Sequence, residues 1–361
     1  MSFSDFLKSL FGPKPQGGAT AGVGGRAAPL PDSDNEPPQI CDPKVLLIIY
    51  NPTMEAATGR KLAEYMNWSR PDDLVGAFIS EVLQASGGLV RYQVARRLEL
   101  DEFPVLTDGF SYSPSSYLDV VRHGAPAHAP SGIDYNALLA RFDVLPRIAD
   151  RTYDEVWVMA FPYAGLYESA MGGGGAFWCN APPIAGSAAC PRRFVVMGFS
   201  YERQVGEMLH SYNHRAEAIM ARVFDSLDFL VWAYKQGRTP ATISPGQALN
   251  DFQRFILFDQ IAPGQAGVGL VHYPPNGARD YDLGNPNPVR SGCYDWLRFP
   301  DFQGDVRMIS CSEWGGGDER SYQRWWLKHL PKVAGRRKGI HNNWWQYIAN
   351  PDNVSVQAAV R

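Results

Sequence analysis

The 361-residue sequence lacks the features that mark several large classes of protein. No apolar run approaches the ~20 residues that a membrane-spanning helix needs, so we expect no transmembrane segment. Acidic and basic residues nearly balance, at 37 against 34, which leaves no excess of positive charge for binding nucleic acid. The four-glycine run at 172–175 matches neither G-x-G-x-x-G nor a P-loop, so it indicates neither of these nucleotide-binding loops.

Cysteine is also scarce. The five cysteines, at 41, 179, 190, 293 and 311, are too few for a disulfide scaffold, and no C-x-x-C occurs that would indicate a thiolate zinc site. Cys179 with Cys190 and Cys293 with Cys311 could pair in an exported protein, which would leave Cys41 over. The same residues are equally compatible with buried free thiols.

The N-terminus lacks the basic start and apolar core of a secretory signal. Residues 1–12 carry an apolar stripe at helical spacing (Phe3, Phe6, Leu7, Leu10, Phe11), which predicts an amphipathic docking helix. Residues 13–42, rich in Gly, Ala and Pro, predict a flexible linker. A helix on a tether suits docking to a partner groove, a protein shell or a membrane surface. The missing signal favours the cytoplasm, and loading or export through this helix stays open.

Residues 43–361 predict a single α/β domain. Apolar runs at Val45–Tyr50, 89–95, 154–160 and Phe194–Phe199 are typical of strands, and helical patterns separate them. This alternation predicts an open, mostly parallel sheet with helices on both faces. From about residue 264 the composition shifts to Gly, Pro, Asn and tryptophan, which predicts an aromatic-rich, irregular C-terminal part.

The segment 202–220 carries the strongest functional pattern. Glu207, His210, His214 and Glu217 are spaced +3, +4 and +3, so on a helix all four point to one side. Two imidazoles one turn apart, flanked by carboxylates, can converge on one divalent cation, with zinc the first choice. The alternative is a polar helix face whose Glu and His residues pair internally.

Residues Gly206–His210, GEMLH, resemble the zinc-peptidase pattern H-E-x-x-H, with Gly206 where the pattern has its first histidine. If a metal is bound here, its ligands must therefore be His210, His214 and a further group, for which Glu217, His272 and Asp282 are the candidates. Glu207 is the predicted catalytic base, placed to accept a proton from metal-bound water.

Ligands of parallel α/β sheets bind beyond the carboxyl ends of the strands. This places Tyr163 and Glu168, which follow the third strand, beside the start of the helix that carries His210 and His214. We predict that Tyr163 and Glu168 bind substrate together with Asp282.

These patterns favour a metal-dependent hydrolase that acts on a peptide, from the helix resemblance, or on a glycan, from the C-terminal aromatics. One alternative is a metal-free glycoside hydrolase that uses two carboxylates among Glu168, Glu207, Glu217 and Asp282. Another is a non-enzymatic cargo or binding protein that is docked through residues 1–12.

Overall fold

A computed structural model describes residues 31–236, 241–244 and 246–355. The predicted docking helix at 1–12 and residues 13–30 of the predicted linker lie outside the described residues. Residues 31–42 run along the domain: Ser33 pairs with Arg336, and the amide of Cys41 donates to Leu89 O at 2.8 Å. This part of the predicted linker is therefore bonded to the domain.

The core is a five-stranded sheet. Its strands are β1 (Lys44–Tyr50), β4 (Gln93–Leu100), β5 (Glu155–Ala160), β6 (Ser169–Gly172) and β7 (Phe194–Ser200), in the order β4-β1-β5-β7-β6. Strands β4, β1, β5 and β7 are parallel, and β6 runs antiparallel at the edge. All of β5 and all but the first residue of β1 are buried, so both sheet faces are covered. The predicted α/β fold is confirmed.

Helices make up much of the remainder. They are α1 (Leu62–Tyr65), α2 (Pro71–Ala85), α3 (Pro114–His123), α4 (Tyr135–Arg141), α5 (Val144–Ala149), α6 (Val205–Val223), α7 (Leu227–Gln236), α8 (Asp251–Phe255), α9 (Glu319–His329) and α10 (Trp345–Ala349). Short antiparallel pairs complete the described part: β2 (Thr53–Glu55) with β3 (Arg60–Lys61), β8 (Val289–Ser291) with β9 (Arg307–Ile309), and β10 (Lys332–Arg337) with β11 (Ile340–Asn343).

Local differences from the sequence prediction have simple causes. The strand expected at 89–95 begins at Gln93, because Val90 forms only a bridge to Cys41. Residues 135–149 form two helices, since Asp143 adopts a left-handed conformation with φ 52°. The basic segment 332–338 contains strand β10.

Helix α6 is the central helix of the domain. Phe78 of α2 contacts both Trp157 of β5 and Tyr212 of α6 edge-on, with ring centroids 5.1 and 5.6 Å apart. Arg215, fully buried on α6, donates to Glu155 Oε2 at 2.6 Å and to Ile348 O at 2.8 Å. Because the helix is enclosed on most sides, its polar residues must find partners inside the protein.

The C-terminal part covers α6 and holds most of the tryptophans in the core. Trp296, Trp314, Trp326, Trp344 and Trp345 are all buried. All five cysteines are free thiols, so the two candidate disulfides do not form. Within the described residues no helix is both long and apolar enough to span a membrane.

Candidate metal centre

Helix α6 begins five residues after β7 ends, at the carboxyl edge of the sheet. Its histidines lie in its second and third turns, and both are buried, with 3% of His210 and 6% of His214 exposed. The ring centroids of His210 and His214 are 4.6 Å apart. The helical spacing read from the sequence therefore brings both imidazoles to one place.

A tight turn at residues 269–273 supplies the third histidine. Leu270 and Tyr273 exchange backbone hydrogen bonds of 2.8 and 3.2 Å, so Val271 and His272 form the tip. The amide of Val271 donates to Glu217 Oε1 at 2.9 Å, which fixes the tip to α6. Helix α9 holds the same turn through Tyr322, whose hydroxyl donates to Leu270 O at 2.6 Å.

His210, His214 and His272 form one buried cluster. One ring nitrogen from each lies within 4.8 Å of the other two, a set that could hold a metal ion. The Nε2 atoms of His214 and His272 are 3.0 Å apart. Tetrahedral zinc with Zn–N bonds of 2.0–2.1 Å separates its nitrogen ligands by roughly 3.3 Å, so these side chains have the reach to share one ion.

Each histidine of the cluster has its own carboxylate. The Nδ1 atoms of His210, His214 and His272 lie 2.9, 3.0 and 2.9 Å from carboxylate oxygens. Those carboxylates belong to Glu319, Glu217 and Asp280, respectively. A carboxylate accepts, so each Nδ1 carries the proton and each Nε2 presents a lone pair. Metal-binding histidines in proteins are commonly held in this way.

The charges and pKa values around the three histidines suit the binding of a cation. Burial lowers the pKa of His272 to about 4, with help from His214 and His210 and against the hydrogen bond to Asp280, so this imidazole is neutral at neutral pH. Burial acts to lower the pKa of His210, but the Glu319 hydrogen bond and the charge on Glu168 raise it above its ordinary value. Burial acts to raise the pKa of Glu168, but its electrostatic coupling to His214 and His210 lowers that pKa below its usual range.

Glu217 lies behind His214. Its Oε2 accepts from His214 and from the Tyr234 hydroxyl at 2.7 Å, and its Oε1 accepts from the Val271 amide. With both oxygens occupied in this way, Glu217 orients the His214 ring. Of the three candidates for the third ligand, His272 is the one that belongs to the described cluster that could hold a metal ion.

The remaining predicted residues lie around the cluster at different depths. Glu168 is partly buried and accepts from Asn180 Nδ2, and its charge acts on all three histidines. Glu207 lies one turn before His210, half-exposed, and its Oε2 accepts from Arg203 Nη1 at 2.7 Å.

Tyr163 and Asp282 have no described contact with the three histidines. Tyr163 is exposed in the turn after β5, with a left-handed φ of 67°. The Asp282 carboxylate accepts from the Ala278 amide and from Asn285 Nδ2, both at 3.0 Å, and so stabilises its own turn.

Gly206 occupies the position of the first histidine in H-E-x-x-H. The packing around it explains why this position holds a residue without a side chain. A Cβ at this position would lie 3.0 Å from the backbone N of Arg320 and 3.1 Å from its Cα. Helix α9 therefore crosses α6 at this point, and a histidine here would meet α9. The resemblance to the zinc-peptidase pattern does not extend to its first ligand.

Sequence reasoning missed two of the residues that orient the histidines. Glu319, in the first turn of α9, is 109 residues from His210, and no motif links them. Asp280 lies two residues before Asp282, and nothing in the sequence gives a reason to prefer it to Asp282. Tyr281, whose hydroxyl lies 3.4 Å from His210 Nε2, was also missed.

Comparison of the chain with protein-family models, with curated proteins and with solved structures gives no match. Function is therefore inferred from the geometry of the cluster.

Proposed function

We propose that this protein is a metal-dependent hydrolase in which His210, His214 and His272 hold one divalent cation, with zinc the first choice. The observation that supports this is the common arrangement of the three imidazoles. Each Nδ1 faces a carboxylate, and the opposite nitrogens of His214 and His272 face each other at 3.0 Å. Three histidine ligands are one of the known ligand sets of catalytic zinc sites.

The choice of metal follows from the donor atoms. Neutral imidazole suits zinc, copper, iron and nickel, whereas magnesium and calcium prefer oxygen ligands. Zinc held by three protein ligands keeps a position for water and lowers the pKa of that water to about 7. A hydrolase needs this chemistry near neutral pH.

Two carboxylates are candidates for the catalytic base. Glu207 was predicted from its position one turn before His210, and it is held by Arg203. Glu168 is the more enclosed of the two, and its charge acts on all three histidines. Replacing the true base by glutamine should lower the hydrolysis rate by about 10²–10⁴-fold. Glu168→Gln and Glu207→Gln, measured side by side, decide between them.

Peptides and glycans are the two substrate classes to assay first. The packing of Gly206 removes the support that the peptidase resemblance gave to peptides. The burial of paired tryptophans such as Trp344 and Trp345 likewise removes surface rings on which a sugar could stack. Both classes should therefore be screened with and without a chelator, because only a metal-free glycosidase would keep its activity after metal removal.

The first experiment measures the metal content of the purified full-length protein by elemental mass spectrometry. We expect close to one zinc per chain after reconstitution. His272→Gln and the double variant His210→Ala/His214→Ala should carry none. His123→Ala is the matched control, because His123 is an exposed histidine of α3 that bonds only to Asp119 among the described residues.

Circular dichroism of each variant shows whether loss of metal reflects loss of the fold. A wild-type protein that takes up no zinc, copper, nickel or cobalt on reconstitution would overturn the proposal. So would variants that are folded and still bind one equivalent of metal.

A further inference from the structure

Tyr281 lies over the histidine cluster on its solvent side. Its ring centroid is 4.1 Å from that of His272 and 5.7 Å from that of His210, and its ring is nearly parallel to the His210 ring, at 10°. About 46% of Tyr281 is exposed, whereas at most 6% of each histidine is. The tyrosine thus separates the buried nitrogens from solvent at this point.

The phenol oxygen of Tyr281 is aimed at the cluster. It lies 3.4 Å from His210 Nε2. In neutral His210 the Nδ1 proton goes to Glu319, so the tyrosine hydroxyl donates and the Nε2 lone pair accepts. A tetrahedral zinc ion with a nitrogen ligand and an oxygen ligand at about 2.0–2.1 Å separates the two atoms by roughly 3.3 Å. The distance from Tyr281 to His210 is therefore that of two ligands of one ion.

The backbone of Tyr281 adopts a strained conformation. Its φ is 56°, a left-handed conformation that non-glycine residues rarely adopt. Its amide donates to His272 O at 3.1 Å. Hydrogen bonds also hold the residues on either side. The Asp280 carboxylate accepts from His272, and the Asp282 carboxylate accepts from Asn285 Nδ2. Such strain is retained where a side chain has to point in one direction.

We propose that the phenol oxygen of Tyr281 is the fourth ligand of the metal in the resting protein, in the position that substrate or water must take for catalysis. This inference rests on the proposed metal site. On coordination the phenol O–H bond breaks, an oxygen–metal bond forms and the proton passes to bulk water, because metal ligands bind in their deprotonated form. The half-exposed ring has solvent on one side into which it can move when a substrate oxygen displaces it.

The experiment uses the metal-free full-length protein reconstituted with one equivalent of Cu²⁺. Phenolate bound to Cu²⁺ gives a ligand-to-metal charge-transfer band in the visible, whereas imidazole ligands alone do not. We expect this band in the wild type and its complete loss in Tyr281→Phe, with the copper content of the two proteins equal. Tyr65→Phe is the control, because Tyr65 packs at the surface under Arg60 and Arg122.

The outcomes separate the two proposals. A band that depends on Tyr281, in protein holding one copper per chain, supports both. Stoichiometric copper without the band, or a band that survives in Tyr281→Phe, overturns the fourth-ligand assignment and leaves the three-histidine site standing. Failure of the wild type to bind copper, zinc, nickel or cobalt overturns the metal site and this inference with it.

Discussion

The Nε2 atoms of His214 and His272 lie 3.0 Å apart, while the Nδ1 atom of each donates to a different carboxylate. Two nitrogen lone pairs at this distance repel each other unless a positive charge lies between them. That charge is either a proton shared by the two rings or a metal ion. Burial lowers the pKa of His272 to about 4, so at neutral pH this ring offers a lone pair, as the proposed metal site requires.

Zinc should therefore stabilise the folded protein. A ligand that binds only the native state adds about 2.7 kcal/mol when its free concentration is 100 times its Kd. We expect thermal unfolding to move to higher temperature as zinc is added to the metal-free protein. His272→Gln should abolish this response. A Tm of the wild type that does not depend on zinc would contradict the shared site.

Glu217→Gln should weaken metal binding without removing a ligand. Glu217 orients His214 and, through the Val271 amide, the turn that carries His272. Residues that hold metal-binding histidines change metal affinity by about 10- to 100-fold when replaced. Competition with a chromophoric chelator measures the zinc Kd.

The control for this variant is Glu313→Gln. Glu313 also accepts from a tyrosine hydroxyl, that of Tyr294 at 2.7 Å, but it has no described contact with the histidine cluster. An equal loss of zinc affinity in both variants would show that the effect of Glu217 is not specific.

The sequence predicts the parts of this site that are local. Helical periodicity alone places His210 and His214 on one face of α6, and the buried apolar runs predict the parallel sheet that precedes it. Local patterns cannot show what packs against that face, because this depends on how distant segments fold over α6. The turn with His272 was only one of several candidate sources of a ligand.

Two features needed the three-dimensional structure. Glu319 reaches His210 only because α9 crosses α6 beside Gly206, a contact between segments more than a hundred residues apart. Tyr281 points at His210 only because of its left-handed backbone, which its sequence neighbours do not predict.

Introducing a histidine at position 206 should not create a metal ligand. The Cβ of any residue at this position meets the backbone of Arg320 at 3.0–3.1 Å, so the two helices must move apart. Overpacking of this kind costs about 1–3 kcal/mol. We expect Gly206→His to unfold at lower denaturant concentration and to bind no more metal than the wild type.

Gly76 provides the matched control for the packing argument. It is an exposed glycine of α2, and a Cβ there meets no atom within 4 Å. Gly76→Ala should stabilise the protein by up to about 1 kcal/mol through helix propensity, whereas Gly206→Ala should not. Equal stabilisation by both alanines would show that the crossing at Gly206 has room for a side chain.

His329 should make the protein lose stability in mild acid. It is buried on α9, where its Nδ1 donates to Trp325 O at 2.7 Å, and its Nε2 has no hydrogen-bond partner among the described residues. Burial lowers the pKa of His329 to about 4, and Lys332 and Lys328 lower it further, against the Trp325 carbonyl. An unfolded histidine takes up its proton near pH 6.5.

Between about pH 6.5 and about pH 4 the unfolded chain therefore binds a proton at His329 that the folded chain does not. The free energy of unfolding should fall by about 1.4 kcal/mol for each pH unit over this range from this group alone. Urea unfolding of the metal-free protein across the range measures the slope. His329→Gln should flatten it by that amount, and His123→Gln, at the surface of α3, is the control for replacing a histidine. If His329→Gln keeps the full wild-type slope, His329 is protonated inside the fold, and the acid sensitivity belongs to other groups.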